Sequence, residues 1–575
     1  MFVQIILLWN LVTLAFSGQE RLVVQAPVGK ILGLKETAVN GKMFWSFRGV
    51  RYAKPPLGHL RFAKPEPYVI QEEIFDATAE CAACVQSELL PLMKKNTSED
   101  CLFLNIFSTN PQNIQGQLKK VMIWIHGGGF IFGSASEYHP GSYVTDQDVI
   151  VVAMNYRLGV LGFLTTENEA SSGNYGLWDQ ILAIQWVKSN IAAFGGDPDD
   201  ITIAGESAGA AAVSILSLSS VTKGLFTKAY MQSGTALTLL NRPKESTRHA
   251  LRAAKFLNCW DKPDDIDIDL ATGNFIVDCL RKRSASEIAN VQVMIGTKIV
   301  FVPYIDGVII PKSPSQLLQD SVYLTAIGFP QRKYLMGINN NEASLGDILL
   351  LVPRQFIFNQ NNTTAEEKDK NWHDFIVSST RDFISQRLEA DDISEDLLRQ
   401  VYGWYDARYG AQSVFVQLAV DVNFVLPMFD ILNTISSLGS EGRLLYFNHY
   451  PRYMKGAYRG TPHALDIAYL FDMPVDWIKR ITGDQNGGVF EEEDEKLKKL
   501  FSSVIGDFVK TGNPEIATRH GITEGWPSYD PVGDYYLEFN LEPSIKKNLA
   551  RDVRKLWSKE IPAGLKQHQH THGEL

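Results

Sequence analysis

The chain has 575 residues, 45% of them hydrophobic, and carries 55 Lys and Arg against 65 Asp and Glu for a formal net charge of -10. This acidic balance, with no Lys/Arg stripe, excludes the electrostatic footprint of a nucleic-acid binder, while the apolar fraction suffices for a large packed core. Length alone would admit several domains, but no repeat, low-complexity tract or linker interrupts residues 20–560, so a single domain is expected over 19–560.

Residues 1–17, MFVQIILLWNLVTLAFS, are apolar, almost uncharged and end in small residues. That is the pattern of a secretory signal peptide, although a basic leading segment is missing. Cleavage is expected after Ser17 or Gly18, with a buried amino-terminal helix as the alternative. No later stretch reads as long and apolar enough to span a bilayer, so no transmembrane segment is expected and the mature chain should be lumenal or secreted. Five cysteines suit that oxidising compartment. Cys84 with Cys101, and Cys259 with Cys279, are near enough in sequence for two local loops. Cys81 is left over; its spacing to Cys84 is also that of a metal or redox pair, but no second pair or nearby histidine completes a site, and no metal is expected. Asn96, Asn361 and Asn362 each begin an Asn-x-Ser/Thr acceptor for glycosylation.

Residues 121–125 (VMIWI) and 149–153 (VIVVA) are continuous apolar runs, as strands buried on both faces of a parallel sheet require. Between the first run and the second comes His126-Gly127-Gly128-Gly129-Phe130, whose glycines leave backbone N–H groups unshielded for a developing oxyanion; a flexible glycine loop is the plainer reading. Residues 178–187 repeat their apolar positions at helical spacing. A short apolar run at 200–204 then leads into Gly205-Glu206-Ser207-Ala208-Gly209, the G-x-S-x-G of a nucleophile elbow, and residues 210–216 are helix-like. The N–H of Ala208, directly after the serine, would be a further oxyanion donor. Strands alternating with helices give an α/β fold with a mostly parallel sheet and function at the carboxyl ends of its strands.

A serine needs an imidazole base, and the base needs an orienting carboxylate. Residues 334–338 read as a strand whose carboxyl end carries Asn339-Asn340-Asn341-Glu342, making Glu342 the candidate acid, with a solvated loop glutamate as the alternative. His463, in the turn-like Gly460-Thr461-Pro462-His463, is the candidate base, with His449 and His520 as rivals. The order Ser, Glu, His is that of the α/β-hydrolases.

With these residues the chain resembles the type B carboxylesterases, the family of cholinesterases and vertebrate microsomal carboxylesterases. The likeness runs from residues 47–58 (FRGVRYAKPPLG) through 98–105 (SEDCLFLN) to 337–342 (GINNNE). It implies the α/β-hydrolase fold, a large mostly parallel sheet flanked by helices, and a triad of Ser207 as nucleophile, Glu342 as acid and His463 as base. It further implies oxyanion donors at Gly128, Gly129 and Ala208, a supporting electrostatic part for Glu206, disulfides Cys84–Cys101 and Cys259–Cys279, and ion pairs Arg61–Glu99 and Arg157–Asp179. Cholinesterases hold their quaternary ammonium on a tryptophan in the first disulfide loop; here that loop has no aromatic residue and two lysines. A general carboxylesterase acting on apolar, xenobiotic or lipid esters is therefore expected, needing no cofactor. The alternative is a catalytically silent adhesion or binding member, although those lack the serine and add a membrane stalk.

Residues 561–575 form a polar tail, and the histidines in it suggest a solvated segment more than a metal site. It closes on His572-Gly573-Glu574-Leu575, which resembles the K-D-E-L retention signals and the His-x-Glu-Leu ends of microsomal carboxylesterases. A retention receptor is thus an expected partner, and the endoplasmic reticulum lumen the expected location, with secretion as the alternative.

Overall fold

The computed structural model describes residues 20–89, 96–112, 116–238, 240, 244–295, 299–342, 363–388, 390, 393–410, 413–454, 460–482, 490–514 and 525–562. The signal segment, Asn361, Asn362, His520 and the terminal His572, Gly573, Glu574 and Leu575 lie outside the described residues.

Among the described residues, thirteen strands form one mixed sheet. In chain order they are β1 (Arg21–Ala26), β2 (Gly29–Thr37), β3 (Met43–Arg51), β4 (Phe75–Asp76), β5 (Phe103–Ser108), β6 (Lys119–Ile125), β7 (Ile150–Met154), β8 (Gly196–Glu206), β9 (Lys228–Gln232), β10 (Lys333–Asn339), β11 (Gly442–Phe447), β12 (Tyr535–Phe539) and β13 (Ser544–Lys547). Across the sheet the order is β1-β2-β3-β5-β7-β6-β8-β9-β10-β11-β12-β13, with β4 beside β2. The run from β7 to β12 is parallel throughout, and antiparallel strands close both edges.

Strand alternation explains the unbroken apolar runs. Val121, Ile123 and Ile125 of β6 enter the core on one face of the sheet, and Met122 and Trp124 enter the core on the other. In β7 the same alternation sends Ile150, Val152 and Met154 one way and Val151 and Ala153 the other. Each such fully buried Val, Ile or Leu contributes roughly 1.5–3 kcal/mol relative to exposure. Helices α1 (Tyr175–Asn190) and α2 (Ala208–Leu218) cover the first face. Every residue of α2 is buried, which is why its first turns are alanine and glycine: larger side chains would hold the helix off the sheet.

The strand expected at 149–153 is one residue later, and the helix expected at 178–187 extends to Tyr175–Asn190. One expectation is corrected. The helical stretch Val414–Ser437 is long and apolar enough to cross a membrane, contrary to the reading that no such stretch exists. It consists of α3 (Val414–Val420), a π-helical turn at Asp421–Val425 and α4 (Leu426–Ser437), and 72% of its apolar window is buried inside the protein, as in a core helix. Cys84–Cys101 and Cys259–Cys279 are disulfide-bonded and Cys81 is free, its Sγ filling the space beside Gly49. The metal or redox pairing of Cys81 with Cys84 is thereby ruled out.

Candidate active site

β6, β8, β9, β10 and β11 end on the same edge of the sheet, with Ile125 beside Gly205, Glu206 beside Gln232, Gln232 beside Gly337 and Asn339 beside Phe447. At the end of β8 the chain reverses into α2 within one residue. Ser207 takes φ 57° and ψ -124°, a conformation that an L-residue adopts at a cost of order 1–3 kcal/mol. The turn is held by Ser207 N–H donating to Gln232 O at 2.8 Å and by Ser207 O accepting from Ala211 N–H at 2.9 Å. Its glycines are there for space. A Cβ on Gly209 would sit 2.0 Å from Ile125 O, and one on Gly205 would sit 2.6 Å from the Gly209 carbonyl carbon. Ser207 itself is half-buried while its neighbours on both sides are buried, so the hydroxyl-bearing residue is the one that meets solvent.

The glycine loop lies against this turn. A Cβ on Gly127 would come within 3.1 Å of the Ser207 Cβ and within 2.7 Å of Glu206 Oε2. Gly128 and Gly129 have φ of +102° and +61°, values that favour glycine, and Gly128 O is tied down by the N–H groups of Ile131 and Phe132. Among the described residues, no backbone carbonyl accepts from the N–H of Gly128, Gly129 or Ala208. Ala208 is the first residue of α2, where helix geometry leaves the N–H without an internal partner.

Across the sheet edge, His463 Nδ1 stands 2.5 Å from Glu342 Oε2 and its Nε2 stands 3.0 Å from Glu206 Oε1; all three side chains are buried. The other Glu342 oxygen accepts from Ser233 Oγ at 2.5 Å and from Asn339 N–H at 2.7 Å. The structure thus brings Ser207, Glu206, Glu342, His463 and the glycine loop to one place at the carboxyl ends of four parallel strands. The rival His449 is engaged elsewhere, its Nε2 2.7 Å from Asp494 Oδ1.

Residues 20–557 match the family model for the carboxylesterase family. The chain belongs to the carboxylesterase family. It is 31% identical over 549 residues to cocaine esterase of Homo sapiens (92% of this chain, 90% of the relative), and 30% identical over 546 residues to a medium-chain fatty acyl-CoA hydrolase precursor of Anas platyrhynchos (92% and 90%). Liver carboxylesterase of Sus scrofa is 30% identical over 568 residues (93% and 92%). This carboxylesterase is a carboxylic ester hydrolase with the α/β-hydrolase fold.

The ion pairs implied by the family likeness are formed. Arg61 donates from Nε and Nη2 to Glu99, each at 2.6 Å, and Arg157 donates to Asp179 at 2.8 and 2.7 Å in a fully buried pair. Electrostatics at the carboxylesterase site centre on His463. Burial disfavours its imidazolium, but the carboxylates of Glu206 and Glu342 outweigh this and hold its pKa well above 6.5. Burial pushes Glu206 above the usual carboxylate range against the pull of His463, with Glu342 adding to the rise. His126 is the opposite case: burial depresses it to about 4, so it is neutral, and its Nδ1 donates to Gly127 O at 2.9 Å.

Several residues of the site were not singled out in the sequence. Ser233, Asn339, Asp466 and Phe424 come from four separate segments. Asn339 Nδ2 donates to Pro462 O and to Asp466 Oδ1, both at 2.8 Å, tying the loop that carries Glu342 to the loop that carries His463. Burial and the Glu206 charge raise Asp466 to about 8, favouring its protonated form. The Phe424 ring, at the π-helical turn, lies 5.3 Å from the His463 ring. The available signal was positional: Gln232-Ser233 and Asn339 are polar residues at the carboxyl ends of apolar strands, where an α/β fold puts function.

Proposed function

We propose that Ser207, His463 and Glu342 form the catalytic triad of a general carboxylesterase acting on uncharged, apolar esters. The observation that carries this reading is the convergence of a strained serine, an imidazole 2.5 Å from a buried carboxylate, and three N–H groups with no backbone acceptor among the described residues. Ser207 Oγ attacks the ester carbonyl as His463 Nε2 takes its proton. The negative oxygen of the tetrahedral intermediate is held by the N–H groups of Gly128, Gly129 and Ala208. His463 then protonates the departing alcohol, leaving an acyl-Ser207 ester, and in the second half of the cycle it deprotonates a water that releases the acid. Glu342 fixes the imidazole through Nδ1, and Ser233 and Asn339 fix Glu342.

The preference for apolar esters is supported by the walls. The Ile299 side chain lies against Gly129, Phe424 lies against His463, and the first disulfide loop offers no aromatic face to a cation. Of the relatives' named substrates, the medium-chain fatty acyl group of the acyl-CoA is apolar, in keeping with an apolar acyl pocket. Residues 19–560 are proposed as one hydrolase domain, since the sheet takes strands from residue 21 to residue 547. A signal peptide over 1–18, glycosylation at Asn96, Asn361 and Asn362, and retention in the endoplasmic reticulum through His572, Gly573, Glu574 and Leu575 complete the proposal. Hydrolysis of a series of p-nitrophenyl esters from acetate to long-chain acyl, compared with acetylthiocholine, tests it. Turnover of the neutral esters and little of the choline ester is expected; the reverse preference would refute the substrate assignment.

A further inference from the structure

A second histidine–carboxylate couple lies outside the triad. His449 follows β11 by two residues, and its Nε2 is 2.7 Å from Asp494 Oδ1, which also accepts from Tyr469 Oη at 3.0 Å. Asp494 is nearly inaccessible and belongs to the first turn of α5 (Glu492–Thr511), where its Oδ2 accepts from Glu491 N–H in a capping box. Burial pushes its carboxyl up, but the hydrogen bonds from His449, the Glu491 N–H and Tyr469 outweigh this and hold it below the usual range. The couple is therefore a charge-assisted contact anchored on a 20-residue helix.

The backbone of His449 is joined to the loop that carries His463. Thr461 Oγ1 accepts from His449 N–H at 2.9 Å and donates to His449 O at 2.6 Å. Thr461 N–H donates to Asn340 Oδ1 at 2.5 Å and Thr461 O accepts from Asn341 N–H at 3.1 Å. Thr461 is fully buried and has spent both backbone groups and its hydroxyl on these contacts, two residues before His463. Ala464, on the other side of the histidine, has φ 67°, a left-handed conformation that disfavours alanine and persists only where the surroundings impose it.

We propose that His449 and Asp494 are positioning residues for the His463 base, fastening its loop to α5 through Thr461. This rests on the reading of His463 as the base. The side-chain couple fixes where the His449 backbone stands, that backbone fixes Thr461, and Thr461 sets the start of the turn from which the imidazole reaches Glu342. Misplacement by ~1 Å costs about a hundredfold in rate at a well-aligned site, so a smaller slackening should cost about tenfold.

The test is steady-state kinetics on p-nitrophenyl acetate for His449→Ala, His449→Gln, Asp494→Asn and Thr461→Val, with His463→Gln in parallel. His449→Ala should lower kcat about tenfold with KM within about twofold. His449→Gln, whose amide can still donate to Asp494, should recover part of the loss. The double variant His449→Ala with Asp494→Asn should be no slower than His449→Ala, since the two act as one unit. Thr461→Val leaves the couple and the helix cap intact and should show the same fall in kcat, so a folding defect in Asp494→Asn would not spoil the test. Wild-type kcat in His449→Ala and Thr461→Val, whatever their melting temperatures, would overturn the proposal, and so would a rise in KM alone. If His463→Gln retained turnover, the triad reading itself would fall; inactive His463→Gln beside unimpaired His449→Ala would overturn only the positioning role.

Discussion

Gly209→Ala adds a single methyl group at the point where the Ser207 turn meets the glycine loop. That methyl would stand 2.0 Å from Ile125 O and 2.9 Å from His126 O, whereas Cβ atoms essentially never approach closer than 3.0 Å. The turn and β6 must separate by about 1 Å, and both contacts are backbone, so no side chain can swing aside. Alanine gains at most ~1 kcal/mol of helix propensity over glycine, while overpacking a rigid site costs typically ~1–3 kcal/mol. The net is destabilising, and the separation also moves Ser207 away from the loop that carries Gly128 and Gly129. A displacement of this size corresponds to about a hundredfold loss of kcat/KM. Gly403→Ala is the matching control. Gly403 lies within the helix Glu395–Tyr409 with nothing within 4 Å of the added methyl, so turnover should be unchanged and stability should rise by about 0.4–1 kcal/mol. The assay is p-nitrophenyl acetate hydrolysis together with thermal unfolding of both variants. Wild-type activity and melting temperature in Gly209→Ala would refute the steric account of the elbow.

Three further outcomes follow from the site. Because His463 is held well above 6.5 and must be neutral to take the serine proton, kcat/KM should fall as pH drops through a midpoint above 6.5; Glu206→Gln removes one flanking charge and should move that midpoint to lower pH. An unshifted midpoint in that variant would contradict the role given to Glu206. Glu342→Gln should lose about 10⁴ in kcat, as when the acid of a serine protease is neutralised, with the fold intact by circular dichroism. Deleting Gly573 to Leu575 should move the protein from the endoplasmic reticulum into the medium, and equal secretion of both forms would refute retention.

The parts of the molecule that could be read in the sequence are those specified locally. The runs at 121–125 and 149–153 are apolar at every position because the sheet is covered on both faces, and that is visible one residue at a time. The elbow was equally legible, since its glycines answer to contacts with the next strand and its own turn. What escaped are contacts between distant segments: Ser233 reaches Glu342 across 109 positions, and Asn339 reaches Asp466 across 127. A serine in Gln-Ser-Gly or an aspartate three residues after a histidine has no local pattern that marks it. The same holds for choosing between His449 and His463, each of which has a carboxylate within 2.7 Å in space and none fixed by sequence spacing. Val414–Ser437 reads like a membrane span for a related reason, because length and apolarity do not say whether lipid or protein covers a helix.

The central claim is that Ser207 is the nucleophile of this carboxylesterase. Its most direct test is reaction of the folded protein with a fluorophosphonate, followed by peptide mass spectrometry. The account predicts one phosphonyl group per chain on Ser207, with hydrolysis of p-nitrophenyl acetate lost in proportion to the labelling, and no label in His463→Gln within the same time. Labelling at another residue, or continued hydrolysis after Ser207 is fully modified, would contradict it.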